Sequence, residues 1–167
     1  TPVSNTDGSI TSSVSANTAA GFSIVSFTGN DTVGATVGHG LSSKPQLIFF
    51  KARTRVNNWG VYAEPITADK FLVLNDTAIE SDSSSPFNDT EPTSSIITLA
   101  RSLSFNNVGT MIAYCFHSVA GYSKIDKYIG NNSSTNQITG VGFKPSFLMI
   151  KKYQIQVQVI GLYMIVG

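Results

Sequence analysis

The chain has 167 residues, of which 13% are charged, and its formal net charge is +1. This length suits one domain that buries most of its apolar surface in a single core. A nucleic-acid binder would carry a clustered basic face, so the sparse and balanced charge excludes that class. Ser, Thr, Asn and Gly fill the polar positions instead, which is typical of a β-rich extracellular surface.

The chain has one cysteine, Cys115, so no disulfide can form within it. Such a fold rests on its core, whether it forms outside the cell or in a reducing cytosol before release. No apolar run approaches the roughly 20 residues of a membrane helix, and no charged-then-apolar signal segment opens the chain. We expect no membrane partner, and we expect the chain, which begins with Thr1, to be a piece of a longer polypeptide.

The first 20 residues differ in composition from the rest of the chain. Residues 1–20 are rich in Ser, Thr and Asn without periodicity, which predicts a linker or a lead-in from a preceding domain. Residues 22–28 alternate and predict a strand with both faces at least partly covered. The polar residues 80–93 predict a long exposed loop. Nine further short strands are predicted at residues 34–40, 46–53, 59–63, 71–75, 96–100, 110–119, 122–129, 137–141 and 147–153.

An internal repeat relates residues 21–53 to residues 121–153. Each copy has a Gly-aromatic-Ser start, a Gly-Asn turn, a Gly-rich stretch, and Lys-Pro followed by one polar residue and an apolar run that ends in Lys. No helical period persists over three turns. The sequence therefore predicts an all-β fold over residues 21–153, a β-sandwich of the jelly-roll or lectin-like kind built from two related halves.

The two copies diverge after the apolar run. The first continues through Asn58, Trp59 and Tyr62, whereas the second gives alternating Gln and aliphatic residues. Joining the third base of each codon to the first two of the next permits a string that contains Ser-Thr-Gly-Asn-Trp-Thr-Ile-Tyr. We therefore hypothesise that residues 154–167 are a frameshifted or truncated terminus. The alternative is a genuine terminal strand at residues 154–159, which alternate as a strand does.

Two histidines and the cysteine are the candidate metal ligands and nucleophile. His39 lies between two glycines, and His117 lies with Cys115 on the most apolar predicted strand. No helical or hairpin spacing brings them together. We interpret His39 as a turn residue, His117 as flanking the core and Cys115 as a buried small apolar residue. The sequence therefore predicts no catalytic residue, no metal site and no cofactor.

Acidic residues cluster around the predicted loop at residues 80–93. Two of them could act as the carboxylate pair of a glycosidase, or several could bind calcium through oxygen ligands. Solvated loop charge explains the cluster equally well, because sequence does not fix the distance between any two carboxylates. The members are Asp76, Glu80, Asp82, Asp89 and Glu91.

Four residues are candidate contacts for a glycan. Trp59 and Tyr62 could offer flat aromatic faces to a sugar ring, and Asn88 and Asp89 lie in the predicted loop. A Trp that recurs in the second copy, as the shifted frame gives, would instead favour a core position. Asn88 also stands in an Asn-x-Thr acceptor sequence, which matters only in a host that glycosylates.

Several strings of this sequence resemble an uncharacterised domain family found in bacteriophage virion proteins. They cover residues 21–152 and are, in order, GFSIVSFTGN, VGHGLSSKPQLI, NNWGVYAE, NDTEPTSSIITL, AYCFHSVAGYSKIDKYIGN and GFKPSFLMIKK. Members of that family look like tail-fibre or related structural proteins and often stand beside concanavalin-like lectin domains. In the family, the segment after the second apolar strand typically resembles Ser-Thr-Gly-Asn-Trp, and no catalytic residues are established.

The resemblance implies a non-enzymatic structural module of a phage tail fibre or related virion appendage, which could also contribute to host-surface glycan recognition. Its expected partners are other fibre subunits, in a homo-oligomer, and its expected location is the virion. A secreted bacterial lectin or adhesin module is the alternative, and it predicts a signal peptide upstream. A polysaccharide depolymerase is a third hypothesis, and it requires two carboxylates at a defined separation in a cleft.

Overall fold

The computed structural model describes residues 1–131 and 133–153 and the backbone of residues 160–166. These residues form an all-β fold, as the sequence predicted, with one short 3-10 helix at Glu64–Ile66. The strands are β1 (Val3–Asn5), β2 (Ser12–Asn17), β3 (Phe22–Gly29), β4 (Ala35–Gly38), β5 (Leu47–Ala52), β6 (Gly60–Ala63), β7 (Lys70–Val73), β8 (Ser81–Asp82), β9 (Ile96–Leu99), β10 (Gly109–Phe116), β11 (Ser123–Ile129), β12 (Phe147–Lys152) and β13 (Ile160–Val166). None of the described residues belongs to a helix long and apolar enough to cross a membrane.

An eight-stranded antiparallel sheet forms the centre of the domain, in the order β1-β2-β3-β10-β5-β6-β7-β8. The apolar strand β10 lies in its middle and pairs with β3 on one side and with β5 on the other. Side chains alternate along a strand, so Ala113 and Cys115 point to one face of the sheet. Tyr114 and Phe116 point to the other face. The almost continuous apolar run of this strand thus supplies both faces, as expected of a central strand.

Each face of the large sheet packs against its own hydrophobic cluster. The first cluster joins the face of Ala113 to the two-stranded sheet β4-β9 and to the loop that contains Phe87. The second cluster joins Leu47 on the opposite face to Ile125 and Tyr153 of the C-terminal segment. A three-stranded sheet, β11-β13-β12, contributes to this second cluster. The arrangement is therefore β-sandwich-like, with the large sheet in the middle.

The three-stranded sheet has the same strand order as the middle of the large sheet. β11 and β12 flank β13 in antiparallel pairing, as β3 and β5 flank β10. Phe22 lies level with Leu47 across β10, and Ser123 lies level with Phe147 across β13. The strands that flank the central strand in each set come from corresponding parts of the sequence repeat.

The N-terminal residues differ from the linker that their composition predicted. Residues 1–20 contain β1 and β2, and β2 pairs with β3 along its whole length. Val14 is buried in the first cluster, and the Ser12 hydroxyl donates to the carbonyl of Gly38 at 2.8 Å. Small polar side chains are tolerated here because their hydroxyl groups find backbone acceptors. β2 therefore contains too few large apolar residues for its alternation to indicate a strand.

One strand prediction is wrong, and the prediction of a long exposed loop is confirmed only in part. Residues 137–141 form no strand, since Gly140 and Gly142 have φ values of 73° and 85°, which extended backbone does not adopt. The loop at residues 80–93 is exposed only in part. Phe87 within it is fully buried.

The ring of Phe87 explains why this loop lies close to the sheet. Its centroid lies 6.0 Å from that of Phe50, 5.4 Å from that of Tyr62 and 4.9 Å from that of Phe105. Tilted and edge-on contacts of this kind add to the stabilisation that burial itself gives. The polar sequence around this residue predicted exposure, but one aromatic side chain fixes the loop from inside.

The hypotheses on the terminus fall largely outside the described residues. Residues 154–159 and residue 167 are not among the residues that the structure describes. The frameshift and the genuine strand at 154–159 therefore both stay predictions. The backbone of Ile160–Val166 pairs with β11 and with β12.

Candidate functional site

An aromatic pair lies on the part of the large sheet's second face that is only partly covered. The rings of Trp59, which directly precedes β6, and Tyr114, in β10, have centroids 6.3 Å apart and planes inclined by 26°. Both residues are half-buried. Lys51 Nζ lies 5.8 Å from the centroid of the Trp59 ring. We call Trp59, Tyr114 and Lys51 the aromatic platform.

Hydrogen bonds fix the backbone around the aromatic platform. The N–H of Trp59 donates to Asn75 Oδ1 at 2.9 Å, and its carbonyl accepts from the N–H of Leu74 at 3.0 Å. Lys51 Nζ donates to the carbonyl of Asn57. The Asn-rich segment before β6 is thereby attached to β5 and to the end of β7. The platform is consequently formed before any ligand arrives.

The aromatic platform has the chemistry of a shallow sugar site. An aromatic face offers apolar contact to the C–H groups of a sugar ring, and nearby amides and ammonium groups can bind its hydroxyls. Asn58 is exposed beside Trp59, and the half-buried Lys51 places its ammonium group over the Trp59 ring. The platform lies on a sheet surface, so it would bind one sugar weakly.

Tyr62 does not belong to the aromatic platform, and its prediction as a sugar contact is wrong. Its side chain is fully buried, and its ring contacts Phe87 in the first cluster. The Tyr62 hydroxyl donates to the carboxylate of Glu91. Burial and this hydrogen bond raise the pKa of Tyr62 far above its usual value. Trp59 and Tyr62 are three positions apart along an extended segment, so their side chains point to opposite faces of the sheet.

The residue that takes the place expected for Tyr62 is Tyr114. The alternation along β10 carries the signal that could have found it, because Tyr114 faces away from the flanking Ala113 and Cys115. Its pairing with β5 places it beside Phe49, and β5 in turn pairs with β6. Only the strand order brings it near Trp59, and sequence alone does not give that order.

Glu91 fastens the loop at residues 80–93 to the sheet. Its carboxylate lies 2.8 Å from Lys44 Nζ and accepts from the N–H of Ala68 at 2.7 Å. Burial disfavours the charged form, but the bonds from Lys44, Tyr62 and Ala68 outweigh it and lower the pKa of Glu91. A carboxylate that accepts three hydrogen bonds and has a lowered pKa suits a structural role better than that of a general acid.

Asn88 and Asp89 form the exposed tip of the same loop. Their φ values are 51° and 47°, so both adopt the left-handed conformation that Asn and Asp tolerate. Phe87, which directly precedes them, packs in the first cluster, whereas Trp59 lies with Tyr114 on the second face of the large sheet. The structure therefore does not join the predicted loop contacts to the aromatic platform. No three His, Cys, Asp or Glu side chains among the described residues lie close enough together to hold a metal ion.

His39 lies at the end of β4 and is fully buried. Its Nδ1 accepts from the N–H of Leu41 at 3.2 Å, and its Nε2 lies 3.2 Å from the carbonyl of Thr93, to which it donates. These partners define a neutral ring, and burial lowers the pKa of His39. Burial raises the pKa of the Cys115 thiol to about 12, so it is not activated as a nucleophile.

A cleft of about 300 Å³ lies where β3 and β10 meet the C-terminal segment. The rings of Phe22 and Phe116 line it with centroids 4.8 Å apart, and Tyr122 and Ile125 also line it. Its lining is mainly apolar. Sequence reasoning missed this cleft because its walls come from segments far apart along the chain.

Comparison with known proteins gives one result. Residues 1–160 match the family model described as a domain of unknown function, DUF7483. Neither a curated protein nor a solved structure matches the chain. The family match spans nearly the whole chain, including β1 and β2. The chain therefore belongs to the DUF7483 domain family.

Proposed function

We propose that the domain is a non-enzymatic structural module of a phage tail fibre or related virion appendage, and that its aromatic platform contributes to the recognition of host-surface glycans. The near-parallel, half-buried pair of Trp59 and Tyr114 is the observation that carries the recognition part. The resemblance of the strings over residues 21–152 carries the virion part. Its partners would be other subunits of the appendage, and its location the virion.

A shallow platform suits an appendage better than it suits a solitary binding protein. One sugar on two aromatic rings binds weakly, whereas several copies of the domain on one fibre raise the effective concentration of sites on a cell surface. A homo-oligomer within the fibre would supply those copies. Strong binding by a single domain is therefore unnecessary.

We also propose that the two repeat copies are related halves of a lectin-like or jelly-roll-like sandwich. The shared strand order supports this proposal. Ile24 lies level with Phe49 across β10, as Ile125 lies level with Met149 across β13. Phe49, Met149 and Ile125 all pack in the second cluster. The halves would then meet through matching faces of β5 and β12.

Binding of the immobilised chain to bacterial-surface glycans and to intact host cells tests the recognition part. The chain is coupled to beads at high density so that weak sites act together. Trp59→Ala should reduce retention by about tenfold, since it removes the larger ring of the aromatic platform.

Tyr122→Ala is the matched control, because Tyr122 is 44% exposed and lines the separate cleft. This variant should be retained like the unmodified chain. Loss of binding with Tyr122→Ala and not with Trp59→Ala would place recognition in the cleft and contradict the platform. Absence of retention on every glycan and cell would contradict the recognition part altogether.

Immunoelectron microscopy of purified phage particles tests the virion part. An antibody raised against the domain should label the appendages. Labelling confined to the secreted fraction of a bacterial culture would contradict this part and support the secreted lectin or adhesin module. The two experiments are independent, so either part of the proposal can fail alone.

A further inference from the structure

β5 and β12 have similar sequences and very different surroundings. Each follows Lys-Pro and one polar residue and contains an apolar run of four residues followed by a lysine. Phe50 is 0% exposed in β5, whereas its counterpart Ile150 is 46% exposed in β12. Ile48 and Leu148 differ in the same way, at 0% and 48%. Among the described residues, β12 pairs only with β13, whereas β5 has a strand on each edge.

The second edge of β5 is occupied by β6. Residues Gly60–Ala63 run antiparallel to β5, with Ala63 opposite Leu47. Glu64 directly follows β6, and its carboxylate forms an ion pair with Lys44, at 3.1 Å from Lys44 Nζ. The N–H of Glu64 also donates to the carbonyl of Gln46 at 2.8 Å. The partner of β5 is thus a short apolar strand followed by a carboxylate that binds the lysine before β5.

The corresponding groups at β12 are in place but lack this partner. Lys144, the counterpart of Lys44, is exposed and forms no ion pair among the described residues. The far end of β12 is engaged, because the carbonyl of Tyr153 accepts from the N–H of Glu80 at 2.8 Å and Lys151 donates to the carbonyl of Asp76. The open part is therefore residues 144–150, which corresponds to the part of the first copy that β6 and Glu64 cover.

We propose that β12 accepts one further β-strand from outside the described residues, and that this strand has the chemistry of β6: a short apolar segment followed by a carboxylate for Lys144. Strand addition would satisfy the free backbone edge of β12 and shield Phe147 and Ile150 from water. The carboxylate would fix direction and register, as Glu64 does beside Lys44.

The charges around β12 favour a strand that carries a carboxylate over β12 of a second copy of the chain. Residues 144–153 contain three lysines and no acidic residue. Two copies of β12 paired edge to edge would leave both Lys144 side chains without a carboxylate. The strand that fits must therefore come from a segment of different sequence, and β6 shows what that sequence is like.

A labelled peptide with the sequence of residues 57–64, Asn-Asn-Trp-Gly-Val-Tyr-Ala-Glu, is the probe. Its binding to the whole chain is followed by fluorescence anisotropy, and saturable binding is expected. A peptide with Tyr62→Pro should bind at least about tenfold more weakly, because the N–H of this residue, like that of Glu64, points to the β5 side of β6, and proline cannot donate to the sheet ladder. A peptide with Glu64→Gln should also bind more weakly.

The chain variant Lys144→Met tests the carboxylate contact. It should weaken the unmodified peptide as much as the Glu64→Gln peptide change does, with no further loss when the two are combined. Lys144 is exposed, so the variant should fold, and its circular dichroism should match that of the unmodified chain. Binding that is unaffected by Tyr62→Pro, binding that is unaffected by Lys144→Met, or no binding at all would each overturn the proposal. Self-association of the chain that excludes the peptide would overturn it in favour of a second copy.

Discussion

β5 and β12 show how far the surroundings of a strand, and not its own sequence, decide its burial. Both are apolar runs between a Lys-Pro pair and a lysine. β5 lies between two strands, with one face in each hydrophobic cluster, whereas β12 pairs with one strand among the residues that the structure describes and exposes Leu148 and Ile150 on its outer face. An apolar run therefore makes burial of a strand favourable. Whether the strand is buried depends on the neighbouring elements that cover its edges and faces.

The largest expected effect comes from truncating matched residues in the two strands. Phe50→Ala should lower the free energy of unfolding by about 3–5 kcal/mol, because it opens a cavity beside Phe87 and Phe105. Ile150→Ala should lower it by less than about 1 kcal/mol, because that side chain already contacts water. Urea unfolding followed by tryptophan fluorescence measures both. Equal losses would mean that β12 is as well covered as β5.

A smaller effect is expected from the two lysines that precede the strands. Lys44→Met should destabilise the fold by on the order of 1 kcal/mol, because it leaves the neighbouring carboxylates of Glu64 and Glu91 without their shared cation. Lys144→Met should leave stability nearly unchanged. The same unfolding experiment at low ionic strength compares them. A comparable loss in both variants would show that Lys144 already has a partner.

The smallest effect concerns pH and a histidine that only the first copy has. Burial lowers the pKa of His39 in the folded state, whereas the unfolded chain takes up its proton near pH 6.5. The contribution of His39 to the free energy of unfolding is therefore complete above that pH. It is lost as the pH falls below that value, because the unfolded chain takes up a proton that the folded chain does not.

The midpoint of urea unfolding should decrease between pH 7.5 and pH 5.5, and His39→Gln should make this decrease smaller. The second copy has Val141 between its corresponding glycines and can show no such dependence. A midpoint that stays constant in the unmodified chain would contradict the buried neutral ring.

Much of the strand pattern could be predicted because the apolar strands are short and alternate, and most of them begin at a Gly or within two residues after a Gly or Pro. The prediction at residues 46–53 differs from β5 by only one residue at each end. Residues 1–20 could not be predicted, since the buried positions of β2 include Ser12, whose partner lies on a distant strand. Propensity does not record such a partner.

The candidate site was half predictable. Trp59 could be recognised as a large aromatic residue among polar neighbours. Its partner could not, because Tyr114 and Trp59 are brought together by the order of three strands in the sheet. Tyr62 is close to Trp59 along the chain, which predicted it as a second glycan contact. The alternation of side chains along β6 instead directs Tyr62 into the first hydrophobic cluster.

Because the buried Phe87 ring fixes the loop from inside, the sequence requirements differ between Phe87 and the tip of the loop. The fold needs this aromatic residue, but at the tip it needs only residues that tolerate positive φ, as Asn88 and Asp89 do. The tip can therefore diversify among homologues while the sheet beneath it stays the same. For protein engineering, the peptide bond between Asn88 and Asp89 is a display position, at which a foreign peptide would project from a scaffold that retains its own anchor.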